Sequence, residues 1–186
     1  MKISPSAIPE VRVIEPDVFG DPRGYFLETW HAARYAEAGM DISFVQDNRS
    51  RSRRGVLRGL HYQLHRPQGK LVSVSWGRVF DVAVDIRRGS PWFGQWVGAE
   101  LSDSNHKQLY VPPGFAHGFC VLSDFADFNY KCTEFYTPDD EYGILWNDPE
   151  IGILWPGGEF QVSAKDSRNR LLREMGDLLP RFGAAE

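Results

Sequence analysis

The chain is short of cysteine, of net positive charge and of long apolar runs, and each shortage removes a class of function. Two cysteines among 186 residues cannot form the disulfide framework of a small secreted scaffold. Cys120 and Cys132 both sit in apolar, strand-like stretches, so buried free thiols in a reducing compartment are expected. A formal charge of −4 gives no whole-molecule attraction to nucleic acid or to an acidic membrane, and any anion binding has to be local. No segment reaches the roughly 18 apolar residues of a membrane span. The opening residues, Met1 to Glu10, lack the apolar stretch of a secretory signal. A cytoplasmic protein with neither membrane nor nucleic-acid partner is the expectation, and no repeat or low-complexity segment interrupts it.

What is present favours β structure. The apolar fraction is 42% and the aromatic share 13%, enough for one domain over residues 1–186 to bury a core without staples and suited to strands. Short apolar runs broken by Gly, Pro, Asn and Asp predict an all-β jelly-roll sandwich. Lys70–Trp76 and Phe80–Ile86 alternate on either side of Gly77 and read as a strand pair, with Asp81 on the mixed face and able to reach the interior. Helix is the minority. One helix is predicted from His31 to Ala38, ending at Gly39. A second, C-terminal helix is predicted after Ser163, which stands three residues before Asp166 like an N-cap, and runs through Met175 to Gly176.

The stretch Val45–Arg53 is polar on both of its alternating faces, which core packing alone does not explain. Gln46, Asn48, Ser50 and Ser52 form one row, suited to lining a wet cavity. Asp47, Arg49, Arg51 and Arg53 form the other, suited to solvent or a partner. The arginines at 49, 51, 53, 54 and 58 lack a second basic face or an aromatic platform, which argues against nucleic acid. With Arg23 they suit a small anion such as a diphosphate, which needs two or three guanidinium forks.

Two histidine boxes stand out: Arg58-Gly59-Leu60-His61-Tyr62-Gln63 and Pro112-Pro113-Gly114-Phe115-Ala116-His117-Gly118-Phe119. Strict alternation puts Arg58 and His61 on opposite faces, so a shared cavity requires a bulge, for which Gly59 is well placed. The boxes resemble the two halves of a cupin barrel whose metal site has been dismantled. Counting back from Gly77 puts Gln63 and His65 at the paired metal histidines and Lys70 at the metal carboxylate. An ammonium there repels a cation and attracts an oxyanion.

These boxes combine with Phe19-Gly20-Asp21-Pro22-Arg23-Gly24-Tyr25-Phe26-Leu27-Glu28, Gln46-Asp47-Asn48, Tyr130-Lys131-Cys132-Thr133 and Trp146-Asn147-Asp148-Pro149. Together, in order and spacing from about Phe19 to Asp166, they resemble the dTDP-4-dehydrorhamnose 3,5-epimerases. Asn129 and Phe135 depart from the apolar residue and the tyrosine expected beside Tyr130 and Tyr136. The resemblance implies a cupin double-stranded β-helix, a homodimer, and no metal or other cofactor. It implies epimerisation at C3 and C5 of dTDP-4-dehydro-6-deoxy-D-glucose, giving dTDP-4-dehydro-L-rhamnose for dTDP-L-rhamnose biosynthesis. His61 would be the general base, Asp166 its orienting carboxylate, Lys70 the enolate stabiliser and Tyr130 the acid on the opposite face. Arg23, Glu28, Gln46, Asn48, Arg58, His117, Glu141 and Lys165 would surround the nucleotide sugar, with Tyr136 stacked on the thymine. Arg23 and Glu28 would come from a segment that completes the partner subunit's site. Related enzymes that invert only C3 or only C5 share the same His, Asp and Tyr, so a monofunctional 3- or 5-epimerase of a related dTDP-deoxysugar pathway is the alternative. Lys70 argues against a metal-dependent cupin oxygenase. The set His61, Asp166, Lys70 and Tyr130 argues against a non-catalytic sugar-binding cupin.

Overall fold

The computed structural model describes residues 1–183. Among the described residues fourteen strands follow one another: β1 (Lys2–Pro5), β2 (Arg12–Glu15), β3 (Val18–Asp21), β4 (Gly24–Leu27), β5 (Gln46–Arg53), β6 (Val56–Gln63) and β7 (Lys70–Trp76), then β8 (Arg78–Asp85), β9 (Trp96–Ser102), β10 (Gln108–Val111), β11 (Phe115–Val121), β12 (Phe125–Cys132), β13 (Glu141–Gly143) and β14 (Gln161–Val162). One α-helix, α1 (Ala32–Glu37), lies between β4 and β5. Six strands form a sheet in the order β1-β2-β10-β7-β12-β5; the order β13-β6-β11-β8-β9 forms a second, with β14 beside β6. Strands β3 and β4 make a separate hairpin. The jelly-roll expectation and the predicted helix at 31–38 are both met.

Alternation decides which side chains meet. The main core draws on both sheets, with Val72, Val74, Leu109 and Phe128 from the first packed with Val79, Ala83, Val97, Phe115 and Phe119 from the second. The second sheet is also buried on its outer face, where Leu60, Val82, Val84 and Ala116 pack under Leu172, Met175 and Leu179. Strand β8 therefore has no solvent face: its apolar row, Val82 and Val84, faces the C-terminal segment. Its other row, Val79, Asp81 and Ala83, faces inward. Helix α1 covers the first sheet through Tyr35, which packs with Ile14, Met40 and Leu71.

The C-terminal covering segment is not the single helix that the sequence predicts. It consists of three 3-10 turns, Asp166–Arg168, Leu172–Glu174 and Gly176–Leu178. Asn169 and Leu171 between them are extended, with ψ of 154° and 152°. The reason lies in where the side chains go. Arg170 bridges to Ile144 and the Leu172 N–H donates to buried Asp148 at 2.6 Å, so the segment is held flat against the sheet.

Candidate active site

A cavity of about 640 Å³ opens between the two sheets at one end of the sandwich. One wall is built by three neighbouring strands of the first sheet. Cα register places Gln46, Cys132 and Lys70 in one row and Asn48, Tyr130 and Val72 in the next. The inward row of β5 is the polar one, so Gln46, Asn48 and Ser50 line the cavity as expected.

The opposite wall is β6 and β11. Here His61 pairs with His117, but Arg58 pairs with Phe119, so Gly59 and Leu60 together oppose Gly118. That is the expected bulge, and it brings Arg58 and His61 to the same face. Glycine is required for it: φ at Gly59 is 117°, and a Cβ there would lie 2.6 Å from the Gly118 Cα. The bulge also frees the Gly59 N–H to donate to Asp166 Oδ2 at 3.3 Å.

Asp166 comes from the first 3-10 turn after β14, and its Oδ1 lies 2.7 Å from His61 Nε2. Ser163 fixes that turn by accepting from the Asp166 N–H at 3.0 Å, as the N-cap spacing suggested. Burial pushes the Asp166 carboxyl up, but His61, the Gly59 N–H and Ser163 together outweigh it and hold the pKa below the usual 3.8. Asp166 thus stays charged and fixes the tautomer in which His61 Nε2 carries the proton and Nδ1 is free.

Deeper in, burial lowers the pKa of the Lys70 ammonium against the opposing pull of Cys132, Glu141 and Asp81. Asp81 is fully buried, with its two carboxylate oxygens 2.9 and 3.1 Å from His117 Nε2. Its pKa is raised by burial, which outweighs His117 and Lys70. Burial likewise raises the Tyr130 phenol, with nearby Arg58 pulling the other way, so the hydroxyl keeps its proton at neutral pH.

At the mouth, Tyr136 is half exposed on a loop that two glutamines hold. Gln46 Oε1 accepts from its N–H at 2.9 Å, while Gln63 accepts from the Thr137 N–H at 2.8 Å and donates to the Phe135 carbonyl at 3.2 Å. Asp140 accepts from the backbone N–H groups of Leu64, His65 and Arg66. Gln63, standing where a cupin metal histidine would be, has become a loop staple that sequence reasoning did not foresee. The Tyr136 hydroxyl donates to Glu141 Oε2 at 3.1 Å, and Lys165 pairs with the same oxygen.

Every site residue expected from the sequence lines this cavity except Arg23 and Glu28. Arg23 is exposed at the β3–β4 turn and bonds Asp21 at 2.6 Å; Glu28 pairs with Arg34 at 3.1 Å. The arginine cluster also divides. Only Arg58 faces the cavity. Arg49 and Arg51 lie on the outer face of β5 and hold Asp127, because odd-numbered positions of that strand point away from the interior, and Arg54 in the turn after it holds Asp124. Among the described residues no three His, Cys, Asp or Glu side chains group to hold a metal ion. Lys70, where a cupin's metal carboxylate would stand, and an exposed His65 make a poor donor set for one.

Residues 5–174 match the family model described as dTDP-4-dehydrorhamnose 3,5-epimerase. The chain belongs to this epimerase family. It is 59% identical to the dTDP-4-dehydrorhamnose 3,5-epimerase of Pseudomonas aeruginosa, over 84% of this chain and 87% of the relative. Its identity to the Salmonella typhimurium epimerase is 53%, over 92% and 96%. The fold overlays that of the 3,5-epimerase of Legionella pneumophila, solved in complex with dTDP-4-keto-L-rhamnose, with a TM-score of 0.96 at 55% identity over 98% and 99% of the two chains. The cupin fold inferred from the histidine boxes is thus that of the family's solved epimerases.

Proposed function

We propose that this epimerase inverts C3 and C5 of dTDP-4-dehydro-6-deoxy-D-glucose, giving dTDP-4-dehydro-L-rhamnose for dTDP-L-rhamnose biosynthesis. The observation that carries the reading is a base and an acid on facing walls of one cavity, His61 from β6 and Tyr130 from β12. Inversion at carbon needs a proton removed from one side of the sugar and returned from the other. Both carbons flank the C4 ketone, so loss of either proton gives an enolate. His61 Nδ1 takes the proton, and Asp166 orients the ring and stabilises the imidazolium that forms. The Lys70 ammonium stabilises the enolate oxygen, an interaction stronger in the transition state than in the ground state. Tyr130 delivers its phenolic proton to the opposite face. Proton transfers alone complete the reaction, so no cofactor is called for.

Arg58, His117, Lys165, Gln46, Asn48 and Glu141 hold the diphosphate and sugars, and Tyr136 stacks on the thymine. Arg23 and Glu28 act in trans: in a homodimer the β3–β4 hairpin of one subunit completes the site of the other. Exposed Phe19 and Phe26, paired across that hairpin, support such docking, since exposed aromatic side chains of this kind suit an interface. No helix among the described residues is long and apolar enough to cross a membrane, and the proposed setting is the cytoplasm.

Incubation with dTDP-4-dehydro-6-deoxyglucose in heavy water, followed by mass analysis of the sugar, tests the reading. Deuterium at both C3 and C5 is the expected result. Deuterium at one carbon only would make the protein a monofunctional 3- or 5-epimerase, and none would remove the epimerase reading.

A further inference from the structure

Each inversion leaves the acid–base pair in the wrong state. His61 has become an imidazolium by taking a proton from carbon, and Tyr130 has become a phenolate by giving one up. The second inversion cannot begin until Nδ1 loses its proton and the phenolate regains one. Asp166 cannot take the Nδ1 proton, because it occupies the other ring nitrogen, Nε2, at 2.7 Å.

A second carboxylate faces Nδ1. Glu141 Oε1 lies 3.9 Å from it, while the other oxygen of the same carboxylate, Oε2, receives the Tyr136 hydroxyl and the Lys165 ammonium. Glu141 is largely enclosed, at 15% side-chain exposure, whereas Lys165 is 60% exposed. One carboxylate therefore spans from the base to the solvent-facing rim. Its position in sequence agrees: Glu141 pairs with Gln63 and Gly143 with His61 across β13 and β6, so the ladder that fixes the base also fixes the carboxylate.

We propose that Glu141 is the exit for the proton that His61 removes, taking it from Nδ1 onto Oε1 and passing it to water at the Lys165 rim. This rests on the epimerase reading and gives Glu141 a task beyond contact with the sugar. The balance closes: the proton leaves Nδ1 for Oε1 and then for water, the Tyr130 phenolate takes a proton from water, and the enzyme returns to its starting state. The charge environment suits a relay. Burial pushes the Glu141 carboxyl up, but Lys165, the His61 charge and the Tyr136 hydroxyl together hold it below the usual Glu value. It is thus ionised when the imidazolium forms and gives the proton up readily.

The test is rapid-quench measurement of deuterium incorporation in heavy water by the full-length wild-type protein, Glu141→Gln and Glu141→Asp. Glu141→Gln keeps the shape and the hydrogen-bonding partners but cannot carry a proton. Loss of its contact with the sugar slows the first and second inversions alike, so the rate of the second inversion relative to the first is the readout. The second inversion, and every inversion after it, should slow by a further roughly 10- to 100-fold relative to the first, within the range for loss of one proton-transfer group, and imidazole buffer should restore them. Glu141→Asp should recover part of the steady-state rate. Equal slowing of the first and second inversions with no buffer rescue, or a raised KM at unchanged kcat, would overturn the relay and leave Glu141 a substrate contact. Absence of deuterium incorporation by the wild type would instead remove the epimerase reading, and the relay with it.

Discussion

Two histidines pair across β6 and β11, each with a carboxylate on its Nε2, and their surroundings give them opposite characters. His61 and Asp166 stand in the open half of the cavity, with 27% of the imidazole exposed and an unprotonated Nδ1 that faces Glu141 Oε1 at 3.9 Å. His117 and Asp81 are sealed, at 8% and 0%, with the His117 ring stacked 6.0 Å from Phe128. The carboxylates answer to different forces. Asp166 gains enough hydrogen bonds and opposite charge to lie below the ordinary aspartate pKa, while burial holds Asp81 above it. The same two side chains therefore suit proton transfer where one ring nitrogen carries no proton and the carboxylate stays charged. Where both partners are closed in, they make a buried electrostatic support for the ligand wall.

The largest break in this comparison is His61→Ala. Exchange at both carbons should fall by roughly 10²- to 10⁴-fold, the usual cost of losing a general base, with little change in melting temperature because the ring is partly exposed. Deuterium incorporation and thermal unfolding, measured on the same preparation, check both halves. Retained exchange at either carbon by the folded variant would remove His61 as the shared base.

His117→Ala should weigh toward stability, with a loss of about 3–5 kcal/mol at neutral pH, typical of removing one partner from a buried pair, and its effect on turnover should come through substrate binding. The loss should also depend on pH. Asp81 is an acid whose folded pKa is raised, so its favourable contribution is present below the unfolded value of 3.8 and is lost as pH rises through the folded pKa. Removing the imidazole raises that pKa further. The deficit against wild type should be small in acid and grow toward neutrality, read by urea unfolding over a pH series. A pH-independent deficit would assign the loss to packing against Phe128.

Tyr130→Phe sharpens the comparison from the other sheet. The base remains, so some exchange should persist, but inversion at C5 should be blocked, with turnover lower by roughly 10- to 100-fold. Wild-type turnover would require another acid.

The split between the two pairs also marks how far the sequence could be read. Alternation in β8 put Asp81 on an inward face, and its partner lies on the adjacent strand, so that pair follows from local pattern and strand order. The polar row of β5 and the bulge at Gly59 were legible for the same reason, since each is a departure from a period of two. The pairing of His61 with Asp166 spans 105 residues, and no periodicity encodes it; only resemblance to a family joined them. Local pattern misled in two places. Residues 163–176 carry helical spacing, but the Leu172 N–H donates to Asp148 and the Arg170 carbonyl accepts from the Leu145 N–H across the fold, and this tertiary pairing flattened the helix into turns. The arginines looked like one cluster, yet strand geometry turns all but Arg58 away from the cavity.

The smallest expected effect tests how the open pair is held. Asp81 and His117 stand on neighbouring strands whose ladder fixes both, whereas Asp166 stands on a short turn fixed by the Ser163 hydroxyl and by the Gly59 N–H. Ser163→Ala removes the first of these and should cost about 0.5–2 kcal/mol of local stability, the scale of a lost side-chain cap. Asp166 should then be less firmly held against His61, and kcat should fall a few-fold with KM nearly constant, because the cavity that binds the nucleotide sugar is otherwise intact. Ser163→Thr keeps the hydroxyl and should restore the rate. Steady-state kinetics on the two variants decide it: a KM increase at unchanged kcat would mean that the turn serves binding, and equal kcat in Ser163→Ala and wild type would mean that the Gly59 N–H alone positions the carboxylate.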